Sequence, residues 1–322
     1  MTMTKHHSGS RYANYPFIGF LFPILAVAIW ATNAVVSKMA TATIEPGAIA
    51  FYRWFFALLL LTPFCLTTVY RQRLQIKAHL TKLTVLASLG MVLNQSLAYY
   101  AAYTTSATNI AIFLSLMPLF GLFLAVPLLG TKLRIHTLIG ALISFIGLIY
   151  MLSEGNLNQL LTQGLKQGDM LMFVSSLSYA LYSVLLNRWK LPLTPWCAVY
   201  CQVFLGALLQ LPLLLSSETT AISLSALPMV AFAAFAASII APWCWLKGVT
   251  QIGAARSTLF MNLVPLFTAS ISIVMLGVHP SQYHLIGGGM VLVGLTLAQM
   301  KRVPAGMLEI NSPIKPQSPS LK

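Results

Sequence analysis

The chain has 322 residues, of which 58% are hydrophobic and 7% are charged. A soluble domain carries about 25% charged residues, so this composition excludes a soluble enzyme or binding domain and predicts a membrane protein. The formal net charge of +14 indicates basic loops on the cytoplasmic side of a membrane, and nucleic acid is not expected as a partner.

The two ends of the chain differ in composition from the rest. Residues 1–16 form a polar tail, and the apolar run that follows is too long for the core of a cleaved signal peptide. We therefore expect a cytoplasmic N-terminal tail followed by a retained first span. Residues 301–322 become rich in Pro, Ser and Lys, which predicts a disordered cytoplasmic tail.

Between the tails, ten apolar segments are long enough to cross a bilayer as helices, each of which needs about 20 residues. Their apolar residues do not alternate with polar ones, so the pattern is not that of a β-barrel. The predicted fold class is an all-α polytopic membrane protein with ten transmembrane helices. The predicted spans are 17–39, 47–70, 83–103, 106–129, 135–152, 169–187, 195–215, 225–246, 255–276 and 282–300.

The chain repeats itself. Residues 29–63 align with residues 178–212 without a gap at an offset of 149, and Pro118-Leu119-Phe120 recurs as Pro265-Leu266-Phe267 at an offset of 147. Duplication of this kind in a membrane chain is typical of transporters.

We predict a first repeat over 17–152 and a second over 169–300, joined by an extracytoplasmic linker at 153–168. Each repeat contains five spans, which is an odd number, so the second must enter the membrane in the opposite sense to the first. The fold is therefore predicted as two inverted five-helix repeats.

Basic residues set the predicted orientation. With the N-terminus in the cytoplasm, all but three of the 19 Lys and Arg residues fall on the cytoplasmic side, and the exceptions are Lys38, Arg53 and Lys166. The positive-inside rule then places both termini in the cytoplasm.

Five short stretches, taken in order, resemble the pattern of a known family. They are Ala28-Ile29-Trp30-Ala31-Thr32-Asn33 before Lys38, Phe51-Tyr52-Arg53-Trp54, Tyr103-Thr104-Thr105-Ser106-Ala107, Gly253-Ala254-Ala255-Arg256 and Leu263-Val264-Pro265-Leu266-Phe267. With ten spans, this spacing resembles the EamA-type branch of the drug/metabolite transporter superfamily over about residues 17 to 300. The resemblance implies a multi-pass carrier of the bacterial inner (plasma) membrane, in a family with many exporters of amino acids and other small metabolites.

The chain departs from the family pattern at two positions. The family usually has a Glu directly after the Gly that ends spans four and nine, whereas here Thr131 follows Gly130 and Val278 follows Gly277. Both positions are at membrane edges, so the departure concerns loop contacts or the subfamily and leaves the expected fold unchanged.

Polar and aromatic residues inside the spans are candidates for a substrate cavity. Trp30 and Asn33 share a face of span one, and the repeat pairs them with Tyr179 and Tyr182 on span six, so these faces are predicted to meet at one central cavity. An amide in hydrocarbon is costly unless it faces protein or water, and hydrogen bonding between neighbouring helices stays the alternative. The predicted cavity residues are Trp30, Asn33, Gln95, Tyr99, Asn109, Tyr179, Tyr182, Trp245 and Asn262.

Arg53 is the only basic residue well inside a span. Its expected partner is a backbone carbonyl, a tyrosine or the carboxylate of Glu45. Because Arg53 matches a common Arg of the family it resembles, we interpret it first as a structural charge. Attraction of an anionic group is the alternative.

Pro118 and Pro265 occupy the predicted middles of spans four and nine. A proline there removes a backbone hydrogen bond and kinks its helix, so the two are predicted gating hinges. Small-residue seams for close packing are predicted between spans five and ten. The glycines of these seams are Gly140, Gly147, Gly287 and Gly294.

Missing features also limit the chemistry. No Asp or Glu lies in the middle of a span and no GxxxxGK[ST] occurs, so neither a proton relay on an intramembrane carboxylate nor direct use of ATP is expected. The four cysteines lie in apolar runs without a CxxC, so no redox site, metal or cofactor is expected.

The sequence thus predicts a secondary transporter that is not an enzyme. It would export a small neutral or zwitterionic metabolite, such as an amino acid, by alternating access around a central cavity. An intramembrane enzyme acting on a lipid-linked substrate and a non-transporting scaffold or sensor are the alternatives. The expected partners are a small-molecule substrate and the lipid bilayer, and a homodimer stays open.

Overall fold

The computed structural model describes residues 16–156, 165–252, 257 and 259–299. Every regular element in these ranges is a helix, which confirms the predicted all-α class. The predicted C-terminal tail at 301–322, the N-terminal tail up to residue 15 and the middle of the predicted linker lie outside the described residues.

The first half of the chain begins with two long helices and ends with two more. Proline with its fixed φ starts α2 at Pro46, a favoured first helical position. The side chain of Ser106 caps α6 by accepting the N–H of Asn109 at 3.0 Å. The elements are α1 (Pro16–Ala40), α2 (Pro46–Arg71), α3 (Arg73–Ala78), α4 (Leu80–Ala87), the π-helix π1 (Ser88–Leu93), α5 (Asn94–Ala101), α6 (Ala107–Leu129) and α7 (Ile135–Leu152).

The second half follows a similar order. Pro195 starts α9 as Pro46 starts α2, and a second π-helix again lies in the third long helix of the half. The elements are α8 (Gln167–Trp189), α9 (Pro195–Leu215), α10 (Leu227–Ala231), the π-helix π2 (Phe232–Ile240), α11 (Ala241–Ile252), a 3-10 turn (Met261–Leu263), α12 (Val264–Leu276) and α13 (Gln282–Gln299).

Seven of the described helices are long and apolar enough to cross a membrane, and the shorter apolar helices Met261–Leu276 and Gln282–Ala298 accompany them. The predicted third span, 83–103, is observed as helix from Leu80 to Ala101 with π1 in its middle. The predicted start of the ninth span at 255 lies outside the described residues. A total of ten spans therefore stays a prediction.

The helix that contains the predicted eighth span continues to Ile252, beyond the predicted end of the span at 246. The ammonium of Lys247 lies 5.8 Å from the ring centre of Trp243 and stays on the helix surface. Gly248 one residue later packs on Pro23 of α1, where a Cβ would lie 2.7 Å from the proline ring. This contact holds the extra turns of α11 against α1.

Two helix ends recur at the repeat offset of 147. Gly130 ends α6 and Gly277 ends α12, both in the left-handed conformation at φ 69° and 63°. In each case the N–H of the glycine bonds the carbonyl four residues earlier, at 3.0 Å for Gly130 and 3.2 Å for Gly277, as in the αL type of helix cap. Thr131 and Val278, where the family has Glu, follow these caps, and both are exposed.

The predicted small-residue seam is confirmed between α7 and α13. A Cβ on Gly147 or on Gly287 would lie 2.6 Å from the carbonyl oxygen of the other glycine, so the two backbones touch. The hydroxyl of Ser144 donates to the carbonyl of Val291 across the same interface at 3.2 Å. These helices form a tightly packed pair that stands apart from the cavity described below.

The described ends of the predicted linker are joined by one ion pair. The ammonium of Lys166 lies 2.6 Å from the carboxylate of Glu154. This hydrogen bond raises the pKa of Lys166 above its ordinary value. Both side chains are partly solvent-exposed, so the pair contributes little to stability.

Candidate functional site: a central cavity

A cavity of about 220 Å³ lies between the two halves of the chain. Its wall takes residues from α1, α2, π1 and α5 of the first half and from α8 and π2 of the second. Six of the nine predicted cavity residues line it, and so does the predicted structural charge Arg53. The six are Trp30, Asn33, Gln95, Tyr99, Tyr179 and Tyr182.

Three predicted cavity residues do not line the cavity. Asn109 is turned away, because its amide donates to the buried carboxylate of Asp169 at 3.0 Å. Asn262 donates to the hydroxyl of Thr296 at 3.2 Å. For both, the helix-bonding alternative describes the geometry, and Trp245 lies one layer behind the wall.

Aromatic rings form one side of the cavity. Trp30 packs against Trp245, with ring centres 5.6 Å apart, so Trp245 supports the cavity through Trp30. Tyr179 and Tyr182 lie with their ring centres 5.4 Å apart, and the repeat pairs them with Trp30 and Asn33. This side offers flat, largely apolar surfaces to a bound molecule.

Arg53 belongs to a polar part of the wall and is 3% exposed. Its Nε donates to the hydroxyl of Ser238 at 2.7 Å, and its Nη1 donates to Gln95 Oε1 at 2.7 Å and to the Tyr99 hydroxyl at 3.2 Å. The predicted tyrosine partner is thus present. Because Ser238 belongs to π2, the guanidinium ties the first half of the chain to the second.

Glu45, the other predicted partner of Arg53, lies elsewhere. Its carboxylate accepts the backbone N–H groups of Glu218 at 3.1 Å and Thr219 at 3.2 Å. Among the described residues no acidic side chain pairs with Arg53, so its positive charge is balanced only by neutral acceptors.

Two asparagines of the wall differ in their partners. Asn94 donates to the carbonyl and the hydroxyl of Ser175, both at 3.1 Å, and its oxygen accepts the amide of Gln95 at 2.8 Å. The side-chain oxygen of Asn33 is buried without a partner among the described residues. The side-chain oxygen of Asn33 thus lacks the kind of hydrogen bond that fixes Asn94.

The π-helices supply backbone acceptors at the wall. The indole N–H of Trp30 donates to the carbonyl of Ala237 in π2 at 3.3 Å. The hydroxyl of Ser178 in α8 donates to the carbonyl of Leu89 in π1 at 2.8 Å. The first helix of each half is thus bonded to the π-helix of the other half, and π-helical turns are frequent at functional sites.

The sequence analysis names neither Ser238 nor Trp54 as a cavity residue, although both line the cavity. Ser238 is an isolated hydroxyl in the apolar run of π2, and this isolation is the one signal that could have found it. The indole N–H of Trp54 donates to the carbonyl of Met91 in π1 at 3.1 Å. It fixes the position of π1 beside Arg53.

The two predicted hinge prolines have different surroundings. Pro118 lies inside α6, which stays α-helical through it. Pro265 is not in the middle of a continuous helix, because it lies in the first turn of α12 directly after the 3-10 turn. Proline is well tolerated at a helix start, so the second position marks a helix boundary. A hinge function at either proline stays a prediction.

Metal-binding chemistry has no site in the part of the chain that the structure describes, where no three His, Cys, Asp or Glu side chains come together. No His, Cys, Asp or Glu is among the described residues that line the cavity. The wall can bind through hydrogen bonds, ring surfaces and one positive charge.

Both halves of the chain are similar to a known protein family. The model of the EamA-like transporter family matches twice, at residues 17–153 and 166–300. An uncharacterized transporter of Bacillus subtilis, YyaM, is 26% identical over 275 residues, which cover 84% of this chain and 90% of that protein. An uncharacterized transporter of Archaeoglobus fulgidus is 26% identical over 287 residues, which cover 86% of this chain and 96% of that protein.

A second uncharacterized transporter of Archaeoglobus fulgidus is 28% identical over 258 residues, covering 78% of this chain and 86% of that protein. Among solved structures, one crystal structure aligns with 87% of this chain and 96% of its own chain at a TM-score of 0.57. Its sequence identity is 18%, so this likeness concerns the fold alone.

Proposed function

The chain belongs to the EamA-like transporter family, and from this membership we propose that it is a secondary transporter working by alternating access. The central cavity carries the proposal, because corresponding helices of the two halves, α1 and α8, both line it. A site at the interface of two repeats is where such carriers bind their substrates.

We propose further that the fold consists of ten transmembrane helices in two inverted five-helix repeats. The recurring proline starts, π-helices and glycine caps support one shared plan for both halves. The odd number of predicted spans in each half supports the inversion, and the charge pattern supports cytoplasmic termini in a bacterial inner membrane.

The proposed substrate is a small organic metabolite of about amino-acid size, moved outwards. The cavity volume of about 220 Å³ suits a small molecule, and the ring surfaces of Trp30 and Tyr182 suit an apolar or aromatic body. We propose the outward direction because the family that the chain resembles contains many exporters of small metabolites.

Transport by the purified protein tests the proposal. Proteoliposomes loaded with labelled amino acids, nucleosides or organic acids should release at least one of them faster than protein-free vesicles loaded with the same solute do. Tyr182→Ala should slow this release, whereas Val274→Ala, which changes an exposed side chain of α12, should leave it unchanged. If no solute leaves the proteoliposomes faster than it leaves protein-free vesicles, the transport function is refuted.

The intramembrane enzyme needs a nucleophile, an acid or a metal site facing a substrate. None of the described cavity residues is an acid, histidine or cysteine, so the geometry favours the transporter. Nothing described in the structure favours a scaffold or sensor.

A further inference from the structure

We propose that Arg53 binds the carboxylate of the transported molecule, so that the carrier selects small organic monoanions over neutral molecules of the same shape. This inference rests on the proposed transport function and adds the charge class of the substrate. It replaces the expectation that Arg53 is only a structural charge.

The first step concerns charge. A guanidinium stays protonated in proteins, and a buried charge is costly unless it is paired. Arg53 is 3% exposed, and its recorded partners Gln95, Tyr99 and Ser238 are all neutral. A substrate carboxylate would complete the neutralisation that the described protein groups leave unfinished.

Other charged residues of the described chain are engaged outside the cavity. Lys38 donates to the carbonyl of Ala102 at 2.6 Å, and Asp169 accepts hydrogen bonds from Thr105 and Asn109. Arg53 is the one charged side chain among the described residues that line the cavity. The described wall of the cavity therefore carries a net positive charge.

The second step concerns the free donors of Arg53. Its Nε and Nη1 are used, whereas its Nη2 has no recorded acceptor among the described residues. Nη2 carries two N–H donors, and a charge-assisted hydrogen bond from such a donor to a carboxylate oxygen is strong. One end of the guanidinium is thus held by protein and the other is available.

A chain of hydrogen bonds holds the guanidinium in place. The side-chain amide of Asn94 donates to Ser175, and the side-chain oxygen of Asn94 accepts the amide N–H of Gln95 at 2.8 Å. The side-chain oxygen of Gln95 in turn accepts the Nη1–H of Arg53. This orientation leaves the acceptor side of Gln95 for Arg53 alone. Such preorganisation reduces the entropy lost when a ligand binds.

The rest of the wall sets the other parts of the ligand. The rings of Trp30, Tyr179 and Tyr182 suit an apolar or aromatic body. Asn33 is an uncharged residue of the wall, and no carboxylate of the described wall could pair with an ammonium group. The charge balance therefore favours a monoanion over a primary amine.

The test uses ligand series that differ only in charge. Each series holds a carboxylate, its carboxamide and the matching amine, with phenylethyl, 2-methylpropyl or ethyl as the body. Binding to the purified full chain is followed by the rise in Tm, and uptake by exchange in proteoliposomes. In at least one series the carboxylate should bind about tenfold more tightly than the carboxamide, as expected for a charge-assisted bond, and the amine should bind least.

Variants assign the preference to Arg53. Arg53→Gln should remove the difference between carboxylate and carboxamide, and Arg53→Lys should keep part of it. The matched control is Gln202→Ala, since Gln202 is the buried residue at the corresponding position of the second half and does not line the cavity. This control should keep the full preference.

Different failures have different meanings. Equal binding of carboxylate and carboxamide by the wild-type protein, or no carboxylate binding in any series, overturns the anion site whether or not Arg53→Gln folds. A preference that survives in folded Arg53→Gln overturns it as well. Transport of neutral solutes in these cases would leave the carrier function standing, whereas no transport of any solute would remove the proposed function too.

Discussion

At the scale of single residues, burial of an amide does not reveal its role, but its partners do. Asn94 is fully engaged, because it bonds Ser175 and Gln95. Asn33 lines the same cavity, and its buried side-chain oxygen has no partner in the described part of the chain. The side-chain oxygens of Asn109 and Asn262 also lack a partner there but lie away from the cavity, so the place of Asn33 on the cavity wall is what suggests a use in ligand binding.

This contrast yields a pair of substitutions with opposite outcomes. Asn33→Ala should reduce transport while membrane abundance and Tm stay at the wild-type level, since no recorded side-chain hydrogen bond is lost. Asn94→Ala should lower stability by about 1–3 kcal/mol, because the carbonyl and hydroxyl oxygens of Ser175 lose a donor and the amide of Gln95 loses its acceptor. Transport assays beside thermal unfolding of the purified proteins separate the two effects.

An unstable Asn33→Ala protein with unchanged transport per folded molecule would contradict the role assigned to Asn33. Full stability of Asn94→Ala would show that water or a rearranged Gln95 replaces the lost bonds.

Polar residues in the spans could be found from the sequence, but their direction could not. Trp30 and Asn33 line the cavity together with Tyr179 and Tyr182, the partners that the repeat gives them on the opposite half. Asn109 and Asn262 carried the same local signal, yet Asp169 and Thr296 take their amides. Those partners are 60 and 34 residues away in the chain, and single-sequence periodicity holds no information about such contacts.

At the scale of elements, the two π-helices set the shape of the cavity. They occur in corresponding long helices, and the offset of 147 carries the bounds of π1 onto the second part of π2. Gly90 in π1 and Ala237 in π2 both line the cavity. The sequence predicted apolar helices here but not their π-turns, since an apolar run fits α- and π-helices equally well.

Gly90 lets π1 approach the aromatic wall. A Cβ at Gly90 would lie 2.9 Å from Cδ2 of the Tyr182 ring, so Gly90→Ala must displace that ring. We expect a several-fold higher KM for the transported solute. Overpacking at this position should cost no more than about 1–3 kcal/mol of stability. Initial rates of transport over a range of solute concentrations measure the change.

Gly121→Ala serves as the control, because a Cβ at Gly121 in α6 has no heavy atom within 4 Å. It should leave KM unchanged and should not destabilise the protein, since Ala favours the helix over Gly. An unchanged KM in Gly90→Ala would mean that Tyr182 does not contact the substrate.

The seam between α7 and α13 depends on backbone contact. Gly147→Ala would place a methyl group 2.6 Å from the carbonyl of Gly287, and neither backbone can move away without separating the helices. We expect a loss of about 1–3 kcal/mol in stability and lower membrane abundance, measured by thermal unfolding and by quantitative immunoblotting.

Gly289→Ala is the matched change on α13, where a Cβ would meet no heavy atom within 4 Å. Its Tm should equal or exceed that of the wild type. Similar Tm values for both variants would show that the seam tolerates separation.

At the scale of the whole molecule, hydrogen bonds join the halves at the end that the charge pattern places outside the cell. Glu45 at the start of α2 accepts the N–H groups of Glu218 and Thr219, and the hydroxyl of Tyr52 donates to the carbonyl of Thr220 at 2.7 Å. On the same side, Asp169 links α8 to α6. In the proposed transport cycle these contacts must break when the cavity opens outwards.

The orientation that the charge pattern predicts can be measured directly. The four native cysteines are all buried, so an impermeant maleimide should label the wild-type protein weakly. Ala221 lies in the exposed loop after α9, and Thr131 lies in the exposed segment after α6. The basic residues Lys132 and Arg134 beside Thr131 predict that this segment is cytoplasmic.

Ala221→Cys should therefore react in intact cells, whereas Thr131→Cys should react only after the membrane is permeabilised. Because α6 and α9 belong to different halves, opposite accessibility of their ends also tests the inverted arrangement. Labelling of both positions from outside would exclude the proposed topology, and labelling of Thr131→Cys alone would reverse it.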